Sequence, residues 1–304
     1  MKTRHEYRGL TWIDLQSPSA AEARSVTEEF GVLPSIAEEL MMPNSRQRAE
    51  SYGSYIFLVM HFPAIHHSHS KSQRQEINFV VGRNYLLTAH YDTIDSLHKF
   101  SKVFDTHAAL ASEPLGEHAG YLFFYAVRKM YQGIGYELDK IGSELSVIEE
   151  HIFQGREKEM VEAISKTARA LLDLRQTIEP HRETLSSLEE HGAVFFGEDF
   201  TAFLRTLTRE YFRIHNHLTR VTDSLKELRE TNNSLLTTKQ NETLKMFTIM
   251  AFFTFPLTLI AAVLGIHSSY NPVLGRPYDF WIMVGILLFT VLIMFLFFKR
   301  KGWL

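Results

Sequence analysis

Hydrophobic and polar positions change rhythm twice along this chain of 304 residues. In the first part, short apolar runs rich in aromatic and β-branched residues predict strands at Leu10–Leu15 and Tyr55–Phe62. Ile77–Val81 and Tyr85–Ala89 predict a hairpin, because Gly82, Arg83 and Asn84 between them supply a turn. Ser19–Phe30 reads as a helix with Ser19 as its cap, and Pro34–Met42 as a second with the proline near its first turn. From Gly120 onward the apolar spacing lengthens to three and four. Helices are predicted at Tyr121–Ile152, Glu157–Thr177 and His181–Glu190, with Pro180 interrupting the last two and Gly192–Gly197 as a break.

The stretch from Glu198 to Phe255 contains neither glycine nor proline. As one helix it would extend about 87 Å at 1.5 Å per residue. Phe200, Phe203, Leu207, Tyr211, Ile214, Leu218, Val221, Leu225 and Leu228 form a heptad stripe along it. Such a stripe fits a helix packing on its own domain. Its unbroken run into the apolar segment that follows also fits a rod that couples rearrangements to that segment.

The second change of rhythm is a loss of polar positions. Met246–Ile266 and Phe280–Phe298 carry no Asp, Glu, Lys or Arg. Each exceeds the ~18 residues that identify a membrane-crossing helix. Lys239 and Lys245 precede the first span and Lys299, Arg300 and Lys301 follow the second, whereas the connecting loop holds only Arg276. Flanks rich in Lys and Arg remain in the cytoplasm, so both termini are expected inside. The first forty residues contain no apolar segment of the signal-peptide kind, so a cytosolic amino-terminal part is expected. The expected fold class is an α+β cytosolic domain followed by long helices and two transmembrane helices. Its parts are residues 1–120, 121–245 and 246–304, the last with a basic tail.

Composition narrows the chemistry. A net charge of −3 with 22% charged residues argues against a nucleic-acid partner, and no cysteine is present for disulfides or thiolate metal sites. Fifteen histidines form a high count that hints weakly at metal handling. There is no Gly-rich phosphate loop, nucleophile elbow or HExxH, so no enzyme and no bound cofactor are expected. Steps of three and four carry the heptad phase into the first span through Asn241, Leu244, Thr248, Ala251, Phe255, Thr258, Ala262 and Gly265. That face is smaller and more polar than the rest, as helix packing or a pore lining would require. Pro256 lies within this span and is tolerable where neighbours satisfy the freed carbonyl.

The segment Asn241–Gly265, with its Phe-Pro-Leu-Thr core, closely resembles the first membrane helix of CorA-type magnesium transporters. Phe298–Leu304 resembles that family's basic carboxyl terminus, Leu174–Leu188 one of its cytosolic helices, and Phe30–Leu40 with the Tyr55 strand its amino-terminal domain. The resemblance implies a homopentamer in a lipid bilayer, here a bacterial inner membrane, with five long helices around one pore. It implies passive flux of divalent cations: Mg²⁺, with Co²⁺, Ni²⁺ or Zn²⁺ as further candidates. It also implies roles for residues: Asn241 as a polar ring, Leu244 and Phe247 as an apolar constriction, Phe255 as a second one, Glu230 as an acidic ring and Glu39 as one partner of a cytosolic metal site. The position of the other partner is Thr206.

One departure stands out. The family signature Gly-Met-Asn at the outer mouth is here Gly265-Ile266-His267, and the usual acidic positions after it are Ser269 and Val273. An imidazole suits Zn²⁺, Ni²⁺, Co²⁺ or Cu²⁺ better than Mg²⁺, which prefers oxygen. A Zn²⁺-type relative, coupled to protons, and a non-conducting membrane scaffold or metal sensor are therefore the alternatives. His66, His67 and His69 form a small cluster that could chelate a transition metal or simply make a solvated turn.

Overall fold

The computed structural model describes residues 1–43, 46–64, 74–92, 94–110, 116–266 and 277–302. They form two compact units, Met1–Arg229 and Glu230–Leu304.

The first unit is built on a six-stranded sheet of order β1-β2-β6-β5-β4-β3. Its strands are β1 (Lys2–Tyr7), β2 (Leu10–Gln16), β3 (Arg48–Ser51), β4 (Ile56–Pro63), β5 (Arg74–Val81) and β6 (Tyr85–His90). Among the described strands the β2–β6 pairing is parallel and the other four are antiparallel. The central strands β4, β5 and β6 are buried almost throughout, which is why they read as continuous apolar runs and not as alternation. The predicted hairpin is β5–β6, closed where Gly82 N–H donates to the Tyr85 carbonyl at 2.9 Å. A Cβ at Gly82 would lie 2.2 Å from the Tyr85 ring, so glycine is required there.

Helices cover both faces. On one, α1 (Ala20–Glu29) and α2 (Pro34–Glu39) place Val26, Ile36 and Leu40 against Ile13, Leu15, Phe57, Val59, Val80 and Leu87. Ser19 caps α1 as predicted: its hydroxyl accepts from Glu22 N–H and its own N–H donates to the Glu22 carboxylate. On the other face, α3 (Asp95–Leu110) packs Phe100 and Phe104 on Trp12, and α4 (Gly120–Phe153) sets Phe123 edge-on to Phe79 at 5.1 Å. Asp14 and His90 also sit here, with the imidazole 3.2 Å from the carboxylate through Nε2 and 2.6 Å from the Asp92 carbonyl through Nδ1. Acceptors at both nitrogens favour the charged ring. Burial opposes it, but the bonds to Asp14 and Asp92 win and raise the His90 pKa.

The helices α5 (Glu157–Ile178) and α6 (His181–Phe196) return the chain, and α7 (Glu198–Leu264) begins alongside α4. Gly192 does not break a helix, contrary to expectation, because α6 runs on to Phe196; only Gly197, at φ +98°, ends it. Contacts pair Tyr121 with Phe200, Gly135 with Ile214 and Asp139 with His217, so α4 and the start of α7 run in the same direction. The heptad stripe is buried on this seam: Phe200, Leu207, Tyr211, Ile214 and Leu218 are each at most 2% exposed. Leu204, not Phe203, occupies the buried position, and Phe203 lies half-buried against Tyr121 and Phe124. The stripe therefore packs on its own domain.

His181 joins three elements at the centre. Its Nδ1 accepts from the Tyr131 hydroxyl and its Nε2–H donates to the His61 carbonyl, both at 2.8 Å. Complete burial lowers its pKa to about 4. The unfolded ring protonates near pH ~6.5, so this site's stability is full above that pH and is lost as pH falls towards 4. The expected loss from this one ring is about 2 kcal/mol between pH 7.5 and 5. Thermal melts of the full chain in detergent should show a shallower acid decline in His181→Gln than in the unmodified protein. Equal slopes would disprove the assignment.

Candidate functional site

The second unit contains the carboxyl-terminal part of α7 and α8 (Asp279–Arg300). Both are long and apolar enough to cross a membrane, and neither apolar stretch is buried inside the chain. Leu244, Phe247 and Phe255 are 54%, 61% and 72% exposed. Leaving such surface in water is unfavourable by ~25 cal/mol per Å², so it must face lipid or other protein.

One side chain fixes the pairing of the two helices. Phe298 of α8 is 3% exposed and meets Phe253 at 5.4 Å and Phe252 at 6.0 Å. Ile249, Phe253, Pro256, Leu257, Ile260 and Leu264 are half-buried and share one side of α7. At about 100° per residue, Leu244, Thr248, Ala251, Phe255, Thr258 and Ala262 lie roughly opposite that side. Asn241 and Phe247 fall near the edges of the same stripe, and all of these except half-buried Ala251 are exposed. α8 thus leaves uncovered the face that the heptad phase singles out.

The chemistry of this face suits cations. Thr248 donates its hydroxyl to the Leu244 carbonyl and Thr258 to the Thr254 carbonyl, each at 2.8 Å. Their protons are thereby occupied, which leaves oxygen lone pairs to face outward. α7 continues unbroken through Pro256. It ends at Leu264, where the helix dipole is negative and favours a cation. A Cβ at Gly265 would stand 3.2 Å from the Ala261 carbonyl oxygen, so a side chain here would crowd the backbone at the end of α7. Gly265 and Ile266 are exposed. His267 lies outside the described residues, as do His66, His67, His69, Ser269, Val273 and Arg276.

Glu230 is an exposed residue of α7. Glu39 is elsewhere, at the end of α2, where Arg48 of β3 hydrogen-bonds to its carboxylate and also lies 3.0 Å from Glu50. Burial opposes the charge of Arg48, but the bonds to Glu39 and Glu50 outweigh it and raise its pKa. Thr206 turns its hydroxyl back to the Ala202 carbonyl at 2.9 Å. Among the described residues no three His, Cys, Asp or Glu side chains converge on a point that could hold a metal. Sequence reasoning missed Arg48, although the alternation Arg48-Ala49-Glu50 in a strand sets both charges on one face. It also missed Phe298 as the anchor between the two apolar helices.

These features define a two-span membrane protein with a large amino-terminal α+β unit. The family described as CorA-like Mg²⁺ transporter protein matches residues 7–300, and the chain belongs to that family. The cobalt/magnesium transport protein CorA of Thermotoga maritima is 26% identical over 97% of this chain and 83% of its own length. The complete structure of the CorA magnesium transporter from Methanocaldococcus jannaschii aligns with a TM-score of 0.85 at 19% identity, covering 99% of this chain and 93% of that one. The ZntB cytoplasmic domain from Vibrio parahaemolyticus reaches 0.54 at 14% identity, covering 76% and 87%. At these identities both structures establish the fold.

The Arg48 pairing gives a test of Glu39. Arg48→Met removes a cation from the Glu39 carboxylate, so Mg²⁺ should raise the melting temperature of the variant more than that of the unmodified protein. Equal Mg²⁺ shifts would show that the Glu39 carboxylate does not gain a cation when Arg48 is removed.

Proposed function

We propose that this chain is a passive channel or transporter for divalent metal cations in the plasma membrane, a bacterial inner membrane, with both termini cytoplasmic. The observation that supports this reading is the α7 face opposite α8, which is polar at Asn241, Thr248 and Thr258 and exposed among the described residues. A single helix face cannot enclose a path, so several copies must set their stripes around one axis. Five copies, a homopentamer, is the number that the family resemblance supplies. The relatives named for magnesium or cobalt transport supply the substrate class.

In this reading hydrated ions meet Gly265, Ile266 and His267 at the outer mouth and leave past Asn241 and the acidic ring of Glu230. Phe255, Leu244 and Phe247 form apolar constrictions, which resist ions by dewetting. The sequence carries no ATP-binding motif, so in this reading ions run down their gradient. Glu39 is neutralised by Arg48 and serves as a structural charge, available to a regulatory cation only when that pair opens. The chemistry is transport and not catalysis.

The histidine in the signature favours a second reading, a Zn²⁺ transporter of the ZntB type coupled to protons. Uptake of Mg²⁺, Co²⁺, Ni²⁺ and Zn²⁺ into liposomes holding the purified protein separates the readings. Flux of at least one dication is expected, and His267→Asn should shift preference towards Mg²⁺. Silence for every ion, in protein shown to be folded and inserted, would sink the transport reading and leave a scaffold or sensor.

Acidity gives a further expectation. Five imidazoles with an ordinary pKa of ~6.5 become cationic as pH falls and repel dications. Flux should therefore fall between pH 8 and 5.5 in the unmodified protein and stay level in His267→Asn. A level profile in both would remove His267 from the ion path.

A further inference from the structure

The sheet face beneath α3 carries a chain of hydrogen bonds that the transport path does not use. Trp12 and Asp14 of β2, with Thr88 and His90 of β6, fall on one face of the parallel pair. The Trp12 Nε1–H donates to the Thr88 hydroxyl at 3.0 Å, and that hydroxyl donates in turn to Asp14 Oδ1. The other carboxylate oxygen, Oδ2, lies 3.2 Å from His90 Nε2, and His90 Nδ1 lies 2.6 Å from the Asp92 carbonyl. Trp12 is fully buried and His90 is 4% exposed, so the chain is anchored at one end and shielded at its centre.

Proton counting sets the behaviour of this chain. A carboxylate and a peptide carbonyl only accept, so each bond to His90 needs an N–H from the ring. A neutral imidazole has one N–H and an imidazolium has two. Both bonds therefore exist together only while His90 is charged. Losing the proton turns a ring lone pair towards an oxygen at a buried position, where water does not replace the bond. Of the surrounding elements, β2 contributes Asp14, the stretch after β6 contributes Asp92, and β5 sets apolar Ile77 opposite His90. Burial opposes the charge, but the two acids outweigh it and hold the pKa above its ordinary value. The contribution of the charged ring is then complete below the unfolded value of ~6.5 and is lost as pH rises through the folded one.

The ring also joins two elements. Ser17, at the end of β2, donates its N–H to the His90 carbonyl at 2.7 Å and its hydroxyl to the Tyr91 carbonyl at 2.9 Å. Those bonds do not titrate. Asp92 follows them, and its carbonyl is held by the His90 ring. α3 then begins at Asp95 and lays Phe100 and Phe104 on Trp12.

We propose that the His90 imidazolium is a proton-operated latch that ties the entry of α3 to Asp14 of β2, and that a rise in pH, by removing one of its two N–H groups, loosens the start of α3. The latch lies in the Met1–Arg229 unit and stands or falls independently of the transport reading.

The test is hydrogen–deuterium exchange of the full chain in detergent, read by mass spectrometry between pH 6 and 9 and corrected for the intrinsic base catalysis of exchange. His181 is neutral throughout this window and does not contribute. Protection of the peptide from Asp92 to Phe104 should fall about ten-fold across the window, as the loss of one charge-assisted hydrogen bond implies, while β4 stays level. Asp14→Asn removes the charge but keeps the shape, and should move the fall to lower pH by about one unit. His90→Gln should hold protection low and level at every pH. A level profile in the unmodified protein, an unmoved fall in Asp14→Asn, or the same fall in His90→Gln overturns the latch. The profile of the unmodified protein needs no substitution, so a variant that fails to fold does not leave the proposal undecided.

Discussion

The parallel seam between α4 and the beginning of α7 is the constraint on which the amino-terminal unit depends. Two helices that run in the same direction cannot be joined by a short turn, so α5 and α6 must carry the chain back between them. The seam is apolar from Phe200 to Leu228, and Gly135 faces Ile214 across it. His181, at the start of α6, ties that return path to Tyr131 of α4 and to the backbone of β4. A buried neutral imidazole with both nitrogens satisfied holds a single arrangement, because either partner left alone would be an unpaired polar group.

The membrane segments obey a different rule. In hydrocarbon every backbone group must be satisfied within the helix, and the side chains gain little from meeting one another. α7 and α8 therefore need only a few contacts, and Phe298 between Phe252 and Phe253 provides them. Threonine hydroxyls bonded to the carbonyl four residues back let polar side chains sit in an apolar setting. The same bonds leave acceptor oxygens on the face that the second helix does not cover. The polar positions Asn241, Thr248 and Thr258 and the side that meets α8 are thus separated by helix phase.

Two charged side chains of the amino-terminal unit are held by internal partners. Arg48 sits between Glu39 and Glu50, and His90 between Asp14 and the Asp92 carbonyl. Breaking a half-buried pair by removing one partner strands the other, so these pairs fix local geometry more than they add stability. For Glu39 the consequence is direct: a carboxylate that its position would offer to a metal ion already has an internal cation.

The sequence by itself determined much of this protein. Period and composition placed β2, β4, the β5–β6 hairpin, the capped α1 and the long helices within a few residues, because burial on a periodic face leaves its mark on residue type. The two spans and the polar stripe from Asn241 to Ala262 were legible for the same reason. The edge strands β1 and β3 were not, since both are polar and owe their form to main-chain pairing with β2 and β4. Only the tertiary structure decided that the heptad stripe is satisfied by α4, that α8 covers the side of α7 away from the stripe, and that Glu39 belongs to Arg48. Each of these depends on which distant residue arrives opposite, and a one-dimensional pattern states what a face needs without naming the partner that meets it.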